Sequence, residues 1–446
     1  MANSIRSPCL LPFGQRNLML IMFSLSARRT MAAIVLAFAA TCPALAQTPP
    51  SDLPSVLGLE DLVQTILAYN PALLSAEQAR ATASAAVLSA QALPNPRLEL
   101  GNGRQRGIQA DATAGTLRSW GVSQLIENPA LRSARVDAAK FAERGSRQSA
   151  AVVRNTLVAE VHVRAYEYLL RRAEADAAAD ALGLLEQVQA RVTARVATGE
   201  APRYELIKAE SEVINARQVR DTSMLMVEQA KFTLNRLAAG HLPLNWTLRE
   251  ALTDVAPLPP SETLIEEASA RNPELLALRA EVDRARANVT GARASRWPGV
   301  EIGYQQTRDP DVRQSMVSVG IQVPLFDQRN GPIAEASSER ARALGRLEGR
   351  ELELRQQILQ AAQMLEIITL KVRALSTGSI LEAEAALQVA EAAYRYGERG
   401  ILDVLDAQRV LRTVRADLLA AQFQLQTARI EIELLAGRYA GEPSKP

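Results

Sequence analysis

The sequence is poor in the side chains on which most catalytic and metal sites depend. Its 446 residues include two histidines and two cysteines, and aromatic residues make up 4%. One chain therefore has too few ligands for a multi-histidine metal centre, a four-cysteine zinc site or a disulfide framework. The charges nearly cancel, at 51 Lys and Arg against 49 Asp and Glu, and the basic residues are spread along the chain. We therefore expect no nucleic-acid partner.

The first 46 residues have the organisation of a secretory signal peptide. Four arginines precede an apolar run at 31–40, and an Ala-x-Ala site at 44–46 predicts cleavage before Gln47. Both cysteines lie in this leader, and the residues around Cys42 match a lipoprotein-processing signal poorly. Because no later run of about 18 apolar residues is present, the sequence predicts no membrane-spanning helix. If the chain enters a membrane, it must do so as a barrel of strands.

The rest of the chain is one unit of about 200 residues used twice. Residues 60–101, laid without gaps on residues 262–303, are identical at 15 of 42 positions. The predicted organisation is a signal peptide (1–46), an N-terminal linker (47–58), a first repeat (59–245), a Pro-rich linker (246–260), a second repeat (261–438) and a C-terminal tail (439–446).

Each repeat has the same predicted order of elements: a helix interrupted by Asn-Pro, two short strands, a long helix, a glycine turn and a return helix. The long helices are predicted over 129–198 and 333–396, and each would be about 100 Å long. Helices of this length are unusual in compact soluble domains. The strands are predicted at about 97–105, 117–126, 299–306 and 315–324, and the return helices at 203–240 and 401–437.

The strands and helices each allow two interpretations. The strands alternate apolar residues with Glu, Gly, Ser or Gln, which is typical of transmembrane barrel strands and equally of half-buried soluble strands. Trp120, Trp297 and Tyr304 would then belong to a membrane-interface belt or to a core. Apolar heptads in the second repeat predict helices that pack on other long helices, and a coiled-coil rod without a pore would show the same pattern.

Three motifs make the chain resemble the TolC-type outer-membrane efflux proteins. They are Pro-Asn-Pro-Arg-Leu-Glu at 94–99, Val-Pro-Leu-Phe-Asp at 323–327, and Ile-Leu-Asp-Val-Leu-Asp-Ala-Gln-Arg at 401–409, which follows a glycine turn. The last motif, with Pro-Leu-Phe-Asp-Gln-Arg-Asn-Gly at 324–331, is most similar to the cobalt-zinc-cadmium resistance (CzcC-like) branch. The resemblance covers about 59–438.

The resemblance implies a mainly α fold with a small transmembrane β part. In a homotrimer, four strands per chain would form a 12-strand β-barrel in the bacterial outer membrane, above a long periplasmic α-helical barrel. The implied function is the passive exit duct of a tripartite efflux system of RND type, with a periplasmic adaptor, an inner-membrane transporter and outer-membrane lipid as partners. No enzymatic activity, cofactor or resident metal is implied. The expected cargo is divalent heavy-metal cations, with drug efflux, type I secretion and a non-pore coiled-coil scaffold as alternatives.

The resemblance also assigns residues to the helix tips. Asp403 and Asp406 fall on the acidic ring of the periplasmic aperture, where six carboxylates of a trimer would attract cations. Tyr394 and Arg399 fall on its latch, and Glu205 stands where the family has an aspartate partner. The turns that would dock the adaptor contain Gly199, Gly397 and Gly400.

Each acidic assignment has a simpler alternative. Asp403 and Asp406 are also favourable to the helix dipole as solvated acids of a first turn. Glu99 and Glu301, on the polar side of their strands, are candidates to face the lumen, and surface solvation explains them nearly as well.

Overall fold

The computed structural model describes residues 56–106, 113–243, 245–253 and 257–441, so the predicted signal peptide lies outside the described residues. The mainly α character is confirmed. Within the described residues, no helix is apolar over a long enough stretch to cross a membrane. The helices are α1 (Leu59–Tyr69), α2 (Pro71–Gln91), α3 (Pro129–Ala197), α4 (Arg203–Leu237), α5 (Ser261–Arg271), α6 (Pro273–Ala294), α7 (Asn330–Ala374), α8 (Ile380–Arg395) and α9 (Ile401–Leu435). The strands are β1 (Val56–Leu57), β2 (Arg97–Gln105), β3 (Gly115–Ile126), β4 (Thr247–Leu248), β5 (Val300–Arg308) and β6 (Arg313–Ile321).

The Asn-Pro of each repeat ties its first helices to its last one. The Asn70 side-chain oxygen accepts two backbone N–H groups at the start of α2, at 3.0 and 3.3 Å, which caps that helix. Its amide donates to the Leu237 carbonyl at the end of α4, at 2.9 Å. Asn272 caps α6 in the same way and donates to the Leu435 carbonyl at the end of α9, at 2.9 Å. The duplicated motif therefore serves one structural purpose in both repeats.

The two long helices differ. In the first repeat α3 is continuous over 69 residues, or about 104 Å, and both α2 and α4 pack along it. In the second repeat a π-helical turn at Leu375–Ser379 separates α7 from α8, within the range predicted as one helix. Two features favour this irregular turn: Gly378 is a weak helix former, and the Thr377 hydroxyl donates to the Arg373 carbonyl at 2.8 Å.

Four strands form one antiparallel sheet in the order β2-β3-β5-β6. Their register gives the sheet a polar and an apolar face, since side chains alternate along each strand. Glycine and serine alternate across the polar face closely enough that a Cβ on Gly101 would lie 2.3 Å from the Ser119 hydroxyl oxygen. The polar face also carries Glu99, Gly121, Ser123, Glu301, Gly303, Gln305 and Ser318, and the apolar face carries Leu98, Leu100, Trp120, Val122, Val300, Ile302, Tyr304, Val317, Val319 and Ile321.

The segments expected to be linkers contribute to a core. β1 and β4 pair in parallel, and Leu57 and Leu248 are buried together with Trp246. The Trp246 ring contacts the ring of Tyr168 on α3, with 4.9 Å between the centroids. The residues around 56–57 and 246–248 therefore pack against the long helix α3.

A partly buried polar cluster lies beside this core. The His162 ring lies 4.8 Å from the ring of Tyr439, whose hydroxyl donates to Glu433. Burial lowers the pKa of His162, an effect that the carboxylates of Glu433 and Glu60 oppose and that the charge of Arg429 reinforces. The neutral imidazole is therefore the form favoured by folding.

Candidate functional site

The two glycine turns have the same backbone geometry. Gly199 follows α3 with φ +80°, and Gly397 follows α8 with φ +77°, a left-handed conformation that only glycine adopts without strain. In each turn the next N–H donates to the carbonyl five residues back, at 2.8 and 2.9 Å. This hydrogen bond is the one that closes a Schellman motif. In both repeats, the long helix therefore ends and the chain reverses direction at the same kind of glycine turn.

The two tips share one hydrophobic core. Val192 of α3, Val213 of α4, and Ile401 and Val404 of α9 are all buried in a single cluster. Leu387 of α8 belongs to the same cluster. The tips of the first and second repeats therefore lie together in each chain.

Tyr394 and Glu205 lie at the junction between the tips. The Tyr394 ring is buried beneath the Arg195 guanidinium, whose central carbon lies 4.8 Å from the ring centre. The Glu205 carboxylate lies beside Gly400, since a Cβ built on that glycine would be 3.8 Å from it. Among the described residues, neither the Tyr394 hydroxyl nor Glu205 Oε2 has a hydrogen-bond partner, although both atoms are buried. Such atoms are expected to find partners in water or in another chain.

Asp403 and Asp406 are exposed on one side of the first turns of α9. The Asp403 side chain is 49% exposed and lies 3.9 Å from Arg399. The Asp406 side chain is 74% exposed and lies 3.7 Å from Arg409. Arg399 thus contacts Asp403 of its own chain, and each acid has an arginine beside it that balances its charge.

An inter-helix ion-pair network was not predicted from the sequence. Arg409 and Arg412 of α9 lie 3.4 and 3.6 Å from Glu212 of α4. These contacts link the return helices of the two repeats, about two turns from the tips. Nothing in the sequence spacing brings residues about 200 positions apart together, and only the repeat alignment, which sets α4 against α9, offered a signal.

Glu99 and Glu301 lie on the same polar face of the sheet. A concavity of ≈ 280 Å³ on that face is lined by both carboxylates together with Gly121, Ser123 and Ser318. Glu99 also lies 3.9 Å from Arg97. Within the described part of the chain, no group of three or more His, Cys, Asp or Glu side chains could hold a metal ion.

The sequence of the second repeat resembles a known protein family. Residues 264–438 match the family model of the outer membrane efflux protein. The second repeat therefore resembles the outer membrane efflux proteins. The TolC-type resemblance is confirmed, and with it the assignment to the outer membrane.

Relatives extend this resemblance over most of the chain. The cobalt-zinc-cadmium resistance protein CzcC of Cupriavidus metallidurans is 24% identical over 392 residues, which is 87% of this chain and 92% of CzcC. The CusC structure superposes with a TM-score of 0.74 at 19% identity and covers 85% of this chain and 91% of CusC. The open-state MtrE channel of Neisseria gonorrhoeae gives a TM-score of 0.74 at 18% identity, covering 87% and 91%. At these identities the two structures show a shared fold.

Proposed function

We propose that this protein is the passive exit duct of a tripartite efflux system, and that its cargo is divalent heavy-metal cations. The observation that carries the proposal is the two-faced sheet at one end of the long helices. An exposed apolar face opposite a glycine- and serine-rich polar face suits a wall between lipid and water. A coiled-coil scaffold without a pore gives no reason for such a sheet.

The sheet needs further copies of the chain. β2 and β6 are its edge strands, and open edges within lipid would leave backbone groups without hydrogen bonds. Four strands enclose no pore wide enough for a solute, because about eight strands leave an interior that side chains fill. Three copies would supply twelve strands, so a homotrimer with a 12-strand barrel satisfies both requirements.

The tips are proposed as the periplasmic aperture. Exposed Asp403 and Asp406 would face the opening from each chain, with Arg399 and Arg409 setting the balance of charge. The Tyr394 hydroxyl, which has no partner among the described residues, would bond a neighbouring chain when the aperture is closed. Glu205 Oε2 is the second such atom.

The proposed metal cargo and the proposed partners are supported by different observations. The name of the relative CzcC, similar over 87% of this chain, favours cobalt, zinc and cadmium ions. A passive duct needs no resident metal ligands, so selection of the cargo falls to an inner-membrane RND-type transporter. The turns at Gly199, Gly397 and Gly400 are the exposed helix ends that a periplasmic adaptor would contact.

Growth of a deletion strain tests both parts of the proposal. We expect sensitivity to zinc, cobalt and cadmium that the parent gene restores, with little change toward lipophilic drugs. Purified protein should be a trimer that conducts ions in planar bilayers. Drug sensitivity alone would contradict the metal cargo and keep the duct, whereas a protein that forms neither trimers nor channels would contradict the duct.

A further inference from the structure

Four arginines lie at one end of the apolar face of the sheet. Arg118 of β3 is the direct cross-strand neighbour of Arg308 of β5, which is in turn the neighbour of Arg313 of β6. Arg104 of β2 lies one step farther along the same face, opposite Thr116. All four are exposed, and we refer to them as the arginine row.

Like charges directly opposite each other destabilise a sheet, so the row calls for a counter-charge. Within the residues that the structure describes, no acidic side chain forms an ion pair with any of the four arginines. The nearby turn contains Asp309, but its carboxylate accepts the backbone N–H groups of Asp311 and Val312. Among the described residues, this end of the face thus carries positive charge without an ion pair to balance it.

The position of the arginine row relative to the apolar band is informative. Trp120 pairs with Gln306 at the end of the band, and the pair of Arg118 and Arg308 follows two residues later, about 7 Å along the strands. Trp120 donates to the Gln306 side chain at 3.1 Å and lies 5.4 Å from the Tyr304 ring. Aromatic side chains of this kind mark the interface of a membrane barrel. The arginines therefore lie where lipid headgroups would begin.

The connections between strands and helices indicate on which side of the membrane the arginine row would lie. The helices α2, α3, α6 and α7 all join the opposite ends of the strands, and the turn between β5 and β6 lies at the end with the arginine row. With the helices in the periplasm, as the proposed function requires, the arginine row faces the outer leaflet. Guanidinium groups bind phosphate through paired hydrogen bonds, and at a membrane surface they do so beside lipid.

We propose that the arginine row binds the phosphate groups of lipid headgroups in the outer leaflet, and this inference rests on the proposed membrane position. The row would anchor each chain at a fixed depth, because the phosphates neutralise charges that the sheet alone leaves opposed. A homotrimer would carry twelve such arginines around its circumference.

Titration of the detergent-solubilised full-length protein with bisphosphorylated lipid A, followed by native mass spectrometry, tests the inference. Near a charged surface each arginine contributes about a fivefold gain in affinity. We expect a loss of about 600-fold when all four are replaced by glutamine, and about fivefold for Arg313→Gln alone, which perturbs only an edge strand. A variant with four lysines should recover part of the affinity. Arg97→Gln, on the polar face at the other end of β2, is the matched control and should bind as the parent does.

Three results would overturn the inference. They are equal binding of a phosphate-free lipid A analogue, unchanged binding by the four-glutamine variant and by Arg313→Gln, or displacement of the lipid by millimolar inorganic phosphate. Planar-bilayer recordings separate this inference from the proposed function. Channels without phosphate-dependent lipid binding would refute the arginine row and retain the duct, while a parent protein that forms no channels would refute the duct.

Discussion

The balance of charges at the helix tips predicts that substitutions there can either lower or raise the preference of the channel for cations over anions. Each chain places two exposed carboxylates, Asp403 and Asp406, beside two arginines, Arg399 and Arg409, at 3.9 and 3.7 Å. The four groups have no net charge. Replacing both aspartates by asparagine would leave two positive charges per chain, and six around the aperture of a trimer. Replacing both arginines by glutamine would leave six negative charges.

The size of the effect follows from screened electrostatics. A unit charge about 10 Å from a passing ion in water contributes about 0.4 kcal/mol, and 0.1 M salt reduces this to about 0.15 kcal/mol. Six such charges give about 0.9 kcal/mol, with opposite sign for cations and anions. The preference for cations over anions should therefore fall about twentyfold in the asparagine variant and rise about twentyfold in the glutamine variant.

Reversal potentials of single channels in a KCl gradient measure this preference. Glu77→Gln is the matched control, because Glu77 of α2 is an exposed carboxylate with an arginine of its own helix 3.2 Å away, far from the tips. The effect should shrink in 1 M salt, where the screening length falls to about 3 Å. If both double variants had the reversal potential of Glu77→Gln, the four residues would not line the aperture.

Three further predictions follow from buried groups. Tyr394→Phe should leave the thermal stability nearly unchanged, because the Tyr394 hydroxyl has no partner among the described residues. If three hydrogen bonds of about 1 kcal/mol close the trimer, the same variant should raise the opening frequency of single channels on the order of a hundredfold. An unchanged opening frequency would contradict the latch. Asn272→Ala should lower the free energy of unfolding by about 2–4 kcal/mol, as a cap and a buried bond to the end of α9 are both lost; denaturant titration should show no comparable loss for exposed Asn215→Ala. Because burial lowers the pKa of His162, the unfolded chain takes up the proton first as the pH falls through about 6.5, so stability is complete above that pH and declines below it. His162→Gln should remove this decline in melting temperature between pH 7.5 and 5.5, His241→Gln should keep it, and equal declines in all three proteins would refute the assignment.

Local signals were sufficient for the order of elements. The Asn-Pro of each repeat predicted a break that the structure places between α1 and α2, and the prolines after α2 separate it from β2. Alternation along β3 and β5 gave the correct division into polar and apolar faces, because the side-chain period of a strand leaves only two registers. The glycines at 199 and 397 marked reversals, since their positive φ excludes other residues at little strain.

Tertiary contacts explain what the sequence could not predict. The pairing of β1 with β4 joins two-residue strands about 190 positions apart, and no periodicity is visible in so few residues. The π-helical turn at Leu375–Ser379 is a one-turn change within an otherwise regular apolar pattern. The contacts of Glu212 with Arg409 and Arg412 depend on how α4 and α9 face each other. Arg399 precedes α9 and contacts Asp403 from the turn at 3.9 Å, a position that helix spacing alone does not determine.

The two repeats share their structural elements but differ in the charged residues at their tips. Both repeats keep the asparagine cap, the paired strands and the glycine turn, which are the parts that build a wall. At the positions equivalent to Asp403 and Asp406 in the repeat alignment, the first repeat has Glu205 and Lys208, so an exposed acidic pair occurs in the second repeat alone. The second repeat also contains the π-helical turn, about one helix of 16 residues from its tip. π-Helical turns occur often at functional sites. We therefore propose that the second repeat carries the chemistry of the aperture, while the first repeat supports it through the continuous helix α3.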